Sequence, residues 1–482
     1  MFQRITVMCI VVFSLLACVT PQGCFADAVE VLEQAKAYKN SGNQQLAQQT
    51  YNTVAASYPG SGYALTAKSE ITIMSISAKT DSQVQAEINS LKAEFSGNAN
   101  LPAALCNIAA GYAWAGKYQQ GADLYQQIIQ DYPASGDVAK AQVGSSRINA
   151  LSSIKSGDYA TAAAEVANLI NNYSGSEYLP ETLYHIARRY QWSRQYEQAT
   201  SIHQEIIQRF PDSSEADRAR LDVGRIKVLS LIKSGDCAAA EAETNKLLQE
   251  LSAHPGLPVV LHSIAREYER KAKYTEAAAL HQQVIQQYPD NARAERARFD
   301  FAKTSVLLLI QAGSYTTAAA ELDKFSTDFG HHPLFTRAMV PIGEQYYEQG
   351  CLKESQGEQS LANELYQKAI AAWGHVRQQS QSYEFSPAAW YFSAHCYRKL
   401  TNYEKVIECC EKTLADWPNY QYAGEAQYLI GFSFEKLAQA GIIPQAEAEP
   451  KIKSAYQQLV ENYPECEPAS YAQDWLNQHN CE

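Results

Sequence analysis

Hydrophobic positions recur along this chain with a helical period, and the helical stretches are cut at regular intervals by proline or by glycine. Pro102, Leu105, Ile108, Ala109, Tyr112, Tyr118, Tyr125 and Pro133 set the pattern. A shift of 78 (102 to 180) gives Pro180, Leu183, Ile186, Ala187, Tyr190, Tyr196, His203 and Pro211. The same shift again (180 to 258) gives Pro258, Leu261, Ile264, Ala265, Tyr268, Tyr274, His281 and Pro289. Apolar residues three and four apart form one face of an α-helix. The small residue in each set lets a second helix approach closely, and the aromatics fill the wedge between neighbouring pairs. Each set thus predicts two helices joined by a polar turn and ended by a proline, which lacks the N–H a continuing helix needs. Gly157-Asp158-Tyr159, Gly235-Asp236-Cys237 and Gly313-Ser314-Tyr315 carry the same spacing and precede alanine-rich helices (Ala162, Ala240, Ala318). They mark a divergent hairpin between each typical pair. One such hairpin has too little core to stand alone, so it must stack on its neighbours.

The stretch from Pro387 to Pro418 adds a further regularity. Counting Pro387 as position one, Trp390 is fourth, Ala394 eighth, Tyr397 eleventh, Tyr403 seventeenth and Pro418 thirty-second. These slots resemble the tetratricopeptide repeat. The resemblance implies an all-α fold, a right-handed α-solenoid of about eleven helical hairpins. The first hairpin opens with Ala35, Tyr38, Ala47, Tyr51 and Pro59, and a weaker one follows near 62–97. A short amphipathic helix at 469–478, with Tyr471 and Trp475, is expected to cap the open end. Extra residues around Lys353 to Gln359 predict a lengthened turn, and an insertion at 438–450 opens the last hairpin. The expected layout is repeats over 27–374, a polar linker at 375–386, and C-terminal repeats with the cap over 387–482.

The N-terminus reads as a targeting segment. Arg4, the apolar run Ile5 to Ala17 and the small-residue site Cys24-Phe25-Ala26 have the anatomy of a signal peptide spanning 1–26. A second reading stays open: Leu15-Leu16-Ala17-Cys18 resembles the lipobox of bacterial lipoproteins, which would make Cys18 an acylated first residue anchored to the outer membrane. No other stretch is long and apolar enough to predict a membrane helix.

Composition narrows the partners. The net charge is −12, and removing residues 1–26 takes away only Arg4, which leaves −13. An acidic solenoid is a poor nucleic-acid binder, since phosphate contacts need clustered Lys and Arg. Of 11 cysteines, Cys9, Cys18 and Cys24 fall in the leader, and eight remain. Cys409 and Cys410 are vicinal, an awkward geometry for a mutual bridge; buried thiols are the expectation for Cys237 and Cys410.

The chain carries no G-x-S-x-G, H-E-x-x-H, phosphate loop or dinucleotide fingerprint. No catalytic residue, cofactor or metal is therefore assigned. His331-His332 reads as a solvated turn. His203 and His281 share one slot and read as packing residues, as do Tyr112, Tyr190, Tyr268, Tyr346 and Tyr397. In tetratricopeptide repeats the first helix of each hairpin lines a concave groove through positions two, five, nine and twelve. Carried over, those slots hold Tyr184, Arg188 and Gln191, then His262, Arg266 and Glu269, then Glu344 and Tyr347, and last Tyr391, His395 and Arg398. Tyr, Arg and His combine contact area with directed hydrogen bonds and suit partner recognition.

The junctions Tyr58-Pro59-Gly60-Ser61, Tyr132-Pro133-Ala134-Ser135 and Phe210-Pro211-Asp212-Ser213 look similar to two bacterial envelope proteins. One is the repeat lipoprotein of the outer-membrane barrel assembly machinery, the other the coordinator of the Tol–Pal system. The resemblance implies an exported, non-enzymatic scaffold for protein–protein interaction in the cell envelope, acting in outer-membrane or envelope assembly. Its partners would be envelope proteins or peptides held in the groove. Two alternatives stand beside it: a peptidoglycan-associated enzyme or its regulatory solenoid, and a structural protein that stacks on itself.

Overall fold

The structure is a computed structural model that describes residues 24–479, with side chains from Ala28 onward. The expected leader and Cys18 fall outside the described side chains, and so does Cys481. The contacts divide the chain into two compact units, with the division between residues 226 and 227.

The first unit contains five complete hairpins. They are α1 (Cys24–Asn40) with α2 (Gln44–Ser57), α3 (Gly62–Ser75) with α4 (Asp81–Glu94), and α5 (Leu101–Trp114) with α6 (Tyr118–Asp131). Next come α7 (Val138–Ser156) with α8 (Tyr159–Asn172), and α9 (Leu179–Trp192) with α10 (Tyr196–Arg209). The division falls inside α11 (Ser214–Ser234), which turns at Gly235 into α12 (Cys237–Glu250). The second unit continues with α13 (Leu257–Arg270) and α14 (Tyr274–Gln287), α15 (Ala292–Gln311) and α16 (Tyr315–Phe329), and α17 (Phe335–Ser355) and α18 (Gln359–Arg377). It ends with α19 (Ser386–Lys399) and α20 (Tyr403–Asp416), α21 (Ala423–Gln439) and α22 (Gln445–Asn462), and the single α23 (Ala469–His479). Among the described residues there are eleven hairpins, a terminal helix and no strand, as the repeat pattern implies.

Local chemistry explains the punctuation. Pro102, Pro180, Pro258 and Pro387 sit in the first turn of α5, α9, α13 and α19, where the missing N–H has no intrahelical partner to lose. At the other end of a hairpin, Tyr132, Phe210 and Tyr288 leave the helix with φ near −130°. Each still donates its N–H to the carbonyl four residues back. Two of the serines that follow such an aromatic cap the next helix: Ser61 Oγ accepts from Ala64 N at 3.2 Å, and Ser213 Oγ accepts from Ala216 N at 3.1 Å, whereas Ser135 Oγ accepts from Asp137 N and Asn291 caps after Tyr288. Ala64, Ala67, Ala216 and Ala219, which trail these serines, are fully buried. At the Tyr58 and Phe210 junctions the aromatic-Pro-x-Ser motif is thus a stop, a turn and a start in one cassette.

The core follows the predicted stripe. Tyr112, Tyr190, Tyr268 and Tyr346 are buried, while Tyr397 is half-buried. Where an aromatic of one helix lies over its neighbour's backbone, glycine stands opposite. A Cβ at Gly144 would sit 2.4 Å from the Tyr125 ring, and one at Gly431 would sit 2.3 Å from the Tyr456 ring. At the far end, α23 buries Ala472 and Leu476 and sets Trp475 edge-on to Tyr456 at 5.5 Å, which covers the last hairpin.

Three expectations are revised. The residues around Lys353 to Gln359 do not form a long turn: α17 and α18 run for 21 and 19 residues, and only Gln356, Gly357 and Glu358 lie between them. The insertion at 438–450 is also mostly helix, with the break confined to 440–444. His332 is not a solvated turn residue. It stacks on Phe299 at 4.1 Å, and its Nδ1 accepts from Leu334 N.

The segment expected as a linker, 375–386, begins inside α18 and ends at the first residue of α19. Its middle is held by Trp417 Nε1, which donates to the Gln381 carbonyl at 2.9 Å, and by Tyr383 and Phe385, which pack on the core. The seven described cysteines are unpaired, with Cys106, Cys396, Cys409 and Cys410 buried. Among the described residues, no helix is long and apolar enough to cross a membrane.

Candidate partner-binding surface

The 78-residue repeat carries a buried polar network twice. In the first unit, Tyr184 Oη on α9 donates to Asp222 Oδ2 on α11 at 2.9 Å. Arg225 donates to Asp222 Oδ1 at 3.0 Å and to Gln191 Oε1 at 2.6 Å. The Gln191 amide nitrogen can only donate, so His203 Nε2, 2.8 Å away on α10, must accept. That requires a neutral imidazole. Burial agrees, because it lowers the His203 pKa to about 4 despite the nearby Asp222 charge.

In the second unit every member recurs 78 residues on, with changed chemistry: His262, Glu269, His281, Asp300 and Lys303. His262 Nε2 lies 2.9 Å from Asp300 Oδ2, and Lys303 bridges Glu269 at 2.7 Å and Asp300 at 3.2 Å. Here the acceptor is the Glu269 carboxylate, so His281 Nε2, 3.1 Å from it, donates. Burial raises the Glu269 carboxyl, but the His281 hydrogen bond and the Lys303 charge outweigh it and hold the group below its ordinary value. Asp300 is driven the same way: burial opposes its charge, and His262, Lys303 and Arg296 win by a wide margin. One copy earlier the positions read Cys106, Ala113, Tyr125, Gly144 and Arg147. There a tyrosine packed on glycine replaces the network.

These bonds decide what the first-helix face can offer. Tyr184, Gln191 and His262 are buried and committed to internal partners, so they do not form an open surface. Glu269 is half-buried and held by Lys303 and His281. Tyr391 is buried as well, stacked on Tyr422 at 4.9 Å and hydrogen-bonded to Glu425. His395 sits half-buried against the Tyr391 ring at 4.6 Å, its pKa lowered to about 4 by burial and then by Arg398 and Lys399. Arg398 and Tyr347 are half-buried, the latter beside Tyr366 and Trp373. Arg188 is half-buried, and Arg266 and Glu344 are exposed.

Arg188 belongs to a cleft that the slot rule missed. A cavity of about 90 Å³ opens on the first-helix face of α5, α7 and α9, lined by Trp114, Arg147, His185, Arg188, Arg189 and Trp192. Trp114 and Trp192 are 65% and 61% exposed, unusual for so large an apolar side chain. The Arg188 guanidinium lies 5.4 Å from the Trp192 ring, and Trp114 meets His185 edge-on at 5.0 Å. The two tryptophans are themselves 78 residues apart, which is the signal that could have found them.

A second cleft, of about 190 Å³, opens on α13, α15 and α17 and includes Arg266, Glu269, Arg296, Asp300, Lys303 and Arg337. Most of its cations are paired, as with Arg296 and Asp300 at 2.7 Å. The first cleft is therefore the stronger candidate for meeting a partner.

A family model described as tetratricopeptide repeat matches residues 31–61 and 103–135, the segments spanning α1–α2 and α5–α6. No curated protein sequence matches the chain. Among solved structures, a tetratricopeptide repeat protein from Parabacteroides merdae is similar at 13% identity, with a TM-score of 0.30, over 56% of this chain and 96% of that one. The C-terminal part of a repeat protein from Cytophaga hutchinsonii is 14% identical, with a TM-score of 0.34, over 57% and 97%. Yeast Tom70 is 10% identical, with a TM-score of 0.31, over 94% and 95%. With the family model falling on two of the hairpins described above, the chain contains tetratricopeptide repeats.

Proposed function

We propose that this protein is an exported, non-enzymatic scaffold that captures other proteins of the bacterial cell envelope on its first-helix face. The observation that carries the reading is the pairing of exposed Trp114 and Trp192 with the arginines of the same cleft. Tryptophan and arginine are the side chains most often found at the energetic centre of protein interfaces. Export is supported by the charged start, apolar run and small-residue site of residues 1–26, and an envelope role by the aromatic-Pro-x-Ser junctions.

In-cell cross-linking, followed by affinity capture of the chain and mass spectrometry, tests the reading. Enrichment of outer-membrane barrels or their assembly factors is expected. Recovery of the protein alone would overturn the scaffold and favour self-association. The intact mass of the captured chain reports its processing: a start at Asp27 supports plain cleavage, and an acylated Cys18 supports lipid anchoring.

A further inference from the structure

We propose that the cleft on α5, α7 and α9 docks an extended acidic segment of a partner protein, in which a carboxylate side chain stands beside an aromatic or aliphatic one. The proposal rests on the scaffold reading and names the chemistry of its partner. Three cations meet at this cleft, and among the described residues no carboxylate lies within ion-pair distance of Arg147, Arg188 or Arg189. The Nε atoms of Arg147 and Arg189 are buried without a hydrogen-bond partner. Such donors are costly to leave unmade, and a guanidinium fork matches a carboxylate in shape and charge.

In the second unit two of the α9 positions carry a different chemistry. There Arg189 and Trp192 become Glu267 and Arg270, which pair with each other at 2.8 Å. Arg266, the counterpart of Arg188, is exposed, and the carboxylate beside the first cleft, Glu181, lies 3.3 Å from His185 Nε2 and not on an arginine. The cavity, about 90 Å³, is smaller than the roughly 150 Å³ that admits benzene. It therefore takes a carboxylate and its methylene rather than a whole ring, and the outer faces of Trp114 and Trp192 are left for the neighbouring apolar side chain. A long polyanion is disfavoured by the net charge of −12. A short acidic segment is not.

The test is a fluorescence anisotropy titration of the purified chain with a short fluorescein-labelled peptide that alternates Glu with Phe and Leu. Two twins accompany it, one with Gln for Glu and one with Ser for Phe and Leu. Both twins are expected to bind at least about tenfold more weakly, the loss of one good contact. Arg188→Glu and Trp114→Ala, both on accessible side chains, should each weaken the parent peptide by a similar factor while the helical circular dichroism is unchanged.

Equal binding of the glutamine twin, or an unaltered affinity in both variants, would overturn the proposal. So would displacement of the peptide by polygalacturonate at lower concentration than by unlabelled peptide, which would make the cleft a saccharide site. Cellular capture separates the two levels of inference. Partners retained by Arg188→Glu and Trp114→Ala would sink the cleft and leave the scaffold standing; a wild-type chain that captures nothing would sink the scaffold itself.

Discussion

Lys303 is the side chain on which the second polar network turns. It is nearly buried between Glu269 and Asp300, so Lys303→Met would leave two carboxylates with one remaining cation, Arg296. Breaking a buried pair this way costs about 3–5 kcal/mol. Adding Glu269→Gln recreates the neutral amide that the first unit carries as Gln191, and thermal unfolding should show the double variant more stable than Lys303→Met alone. A double variant no better than the single would refute the charge-balance account.

His203 makes a separate prediction in pH. Below its ordinary value of 6.5 the unfolded chain takes up a proton that the folded His203 refuses until about pH 4. Its contribution is therefore intact above 6.5 and lost as pH falls toward 4. His395 adds a parallel loss in the same window. His203→Gln should make the melting temperature fall less steeply between pH 6.5 and 4, and an unaltered slope would contradict burial as the cause. The sequence led to Tyr184, Gln191 and His262 as open groove positions because a repeat slot says which way a helix position points. It does not say what the following helix brings to meet it. Asp222 and Asp300, 38 residues downstream of Tyr184 and His262, supply that missing partner.

At the scale of an element, two helix glycines should respond to alanine with opposite sign. Alanine is the better helix former by about 1 kcal/mol. At Gly374, where a Cβ would meet nothing closer than 4.0 Å, Gly374→Ala should raise the melting temperature. At Gly144 the same change drives a Cβ to 2.4 Å from the Tyr125 ring, and overpacking costs about 1–3 kcal/mol. Packing outweighs propensity there, so Gly144→Ala should lower the melting temperature in the same assay; a rise at both positions would mean the Tyr125 ring is not held against α7. The hairpins themselves were legible because proline, the small residue and tyrosine recur at fixed offsets that only stacked helices need. The extent of α17 and α18 was not. Slot counting registers extra residues between consensus positions without saying whether they coil or wind. Here α17 has seven residues more than the 14 of α19, about two helical turns, so the buried face returns to register and the insertion stays helical.

At the scale of the whole molecule, the net charge of −12 and the arginines of the first-unit cleft pull an acidic partner in opposite directions. The net charge acts at long range, through a field that extends about one Debye length, roughly 10 Å at 0.1 M salt and about 30 Å at 0.01 M. The arginines act at contact. An acidic peptide approaching in dilute buffer is thus repelled first and held afterwards. Added salt screens the repulsion more than it weakens bonds inside a partly enclosed cleft. The association rate of the Glu–Phe–Leu peptide should accordingly rise as sodium chloride increases from about 0.01 to 0.15 M. Its dissociation rate should rise as well, because the arginine–carboxylate bonds are only partly shielded from solvent. Stopped-flow anisotropy separates the two rates. An association rate that falls with salt would mean that the local field of Arg147, Arg188 and Arg189 reaches beyond the acidic surface and steers the partner in. The cleft would then govern capture as well as retention, and Arg188→Glu should slow association more than it speeds release.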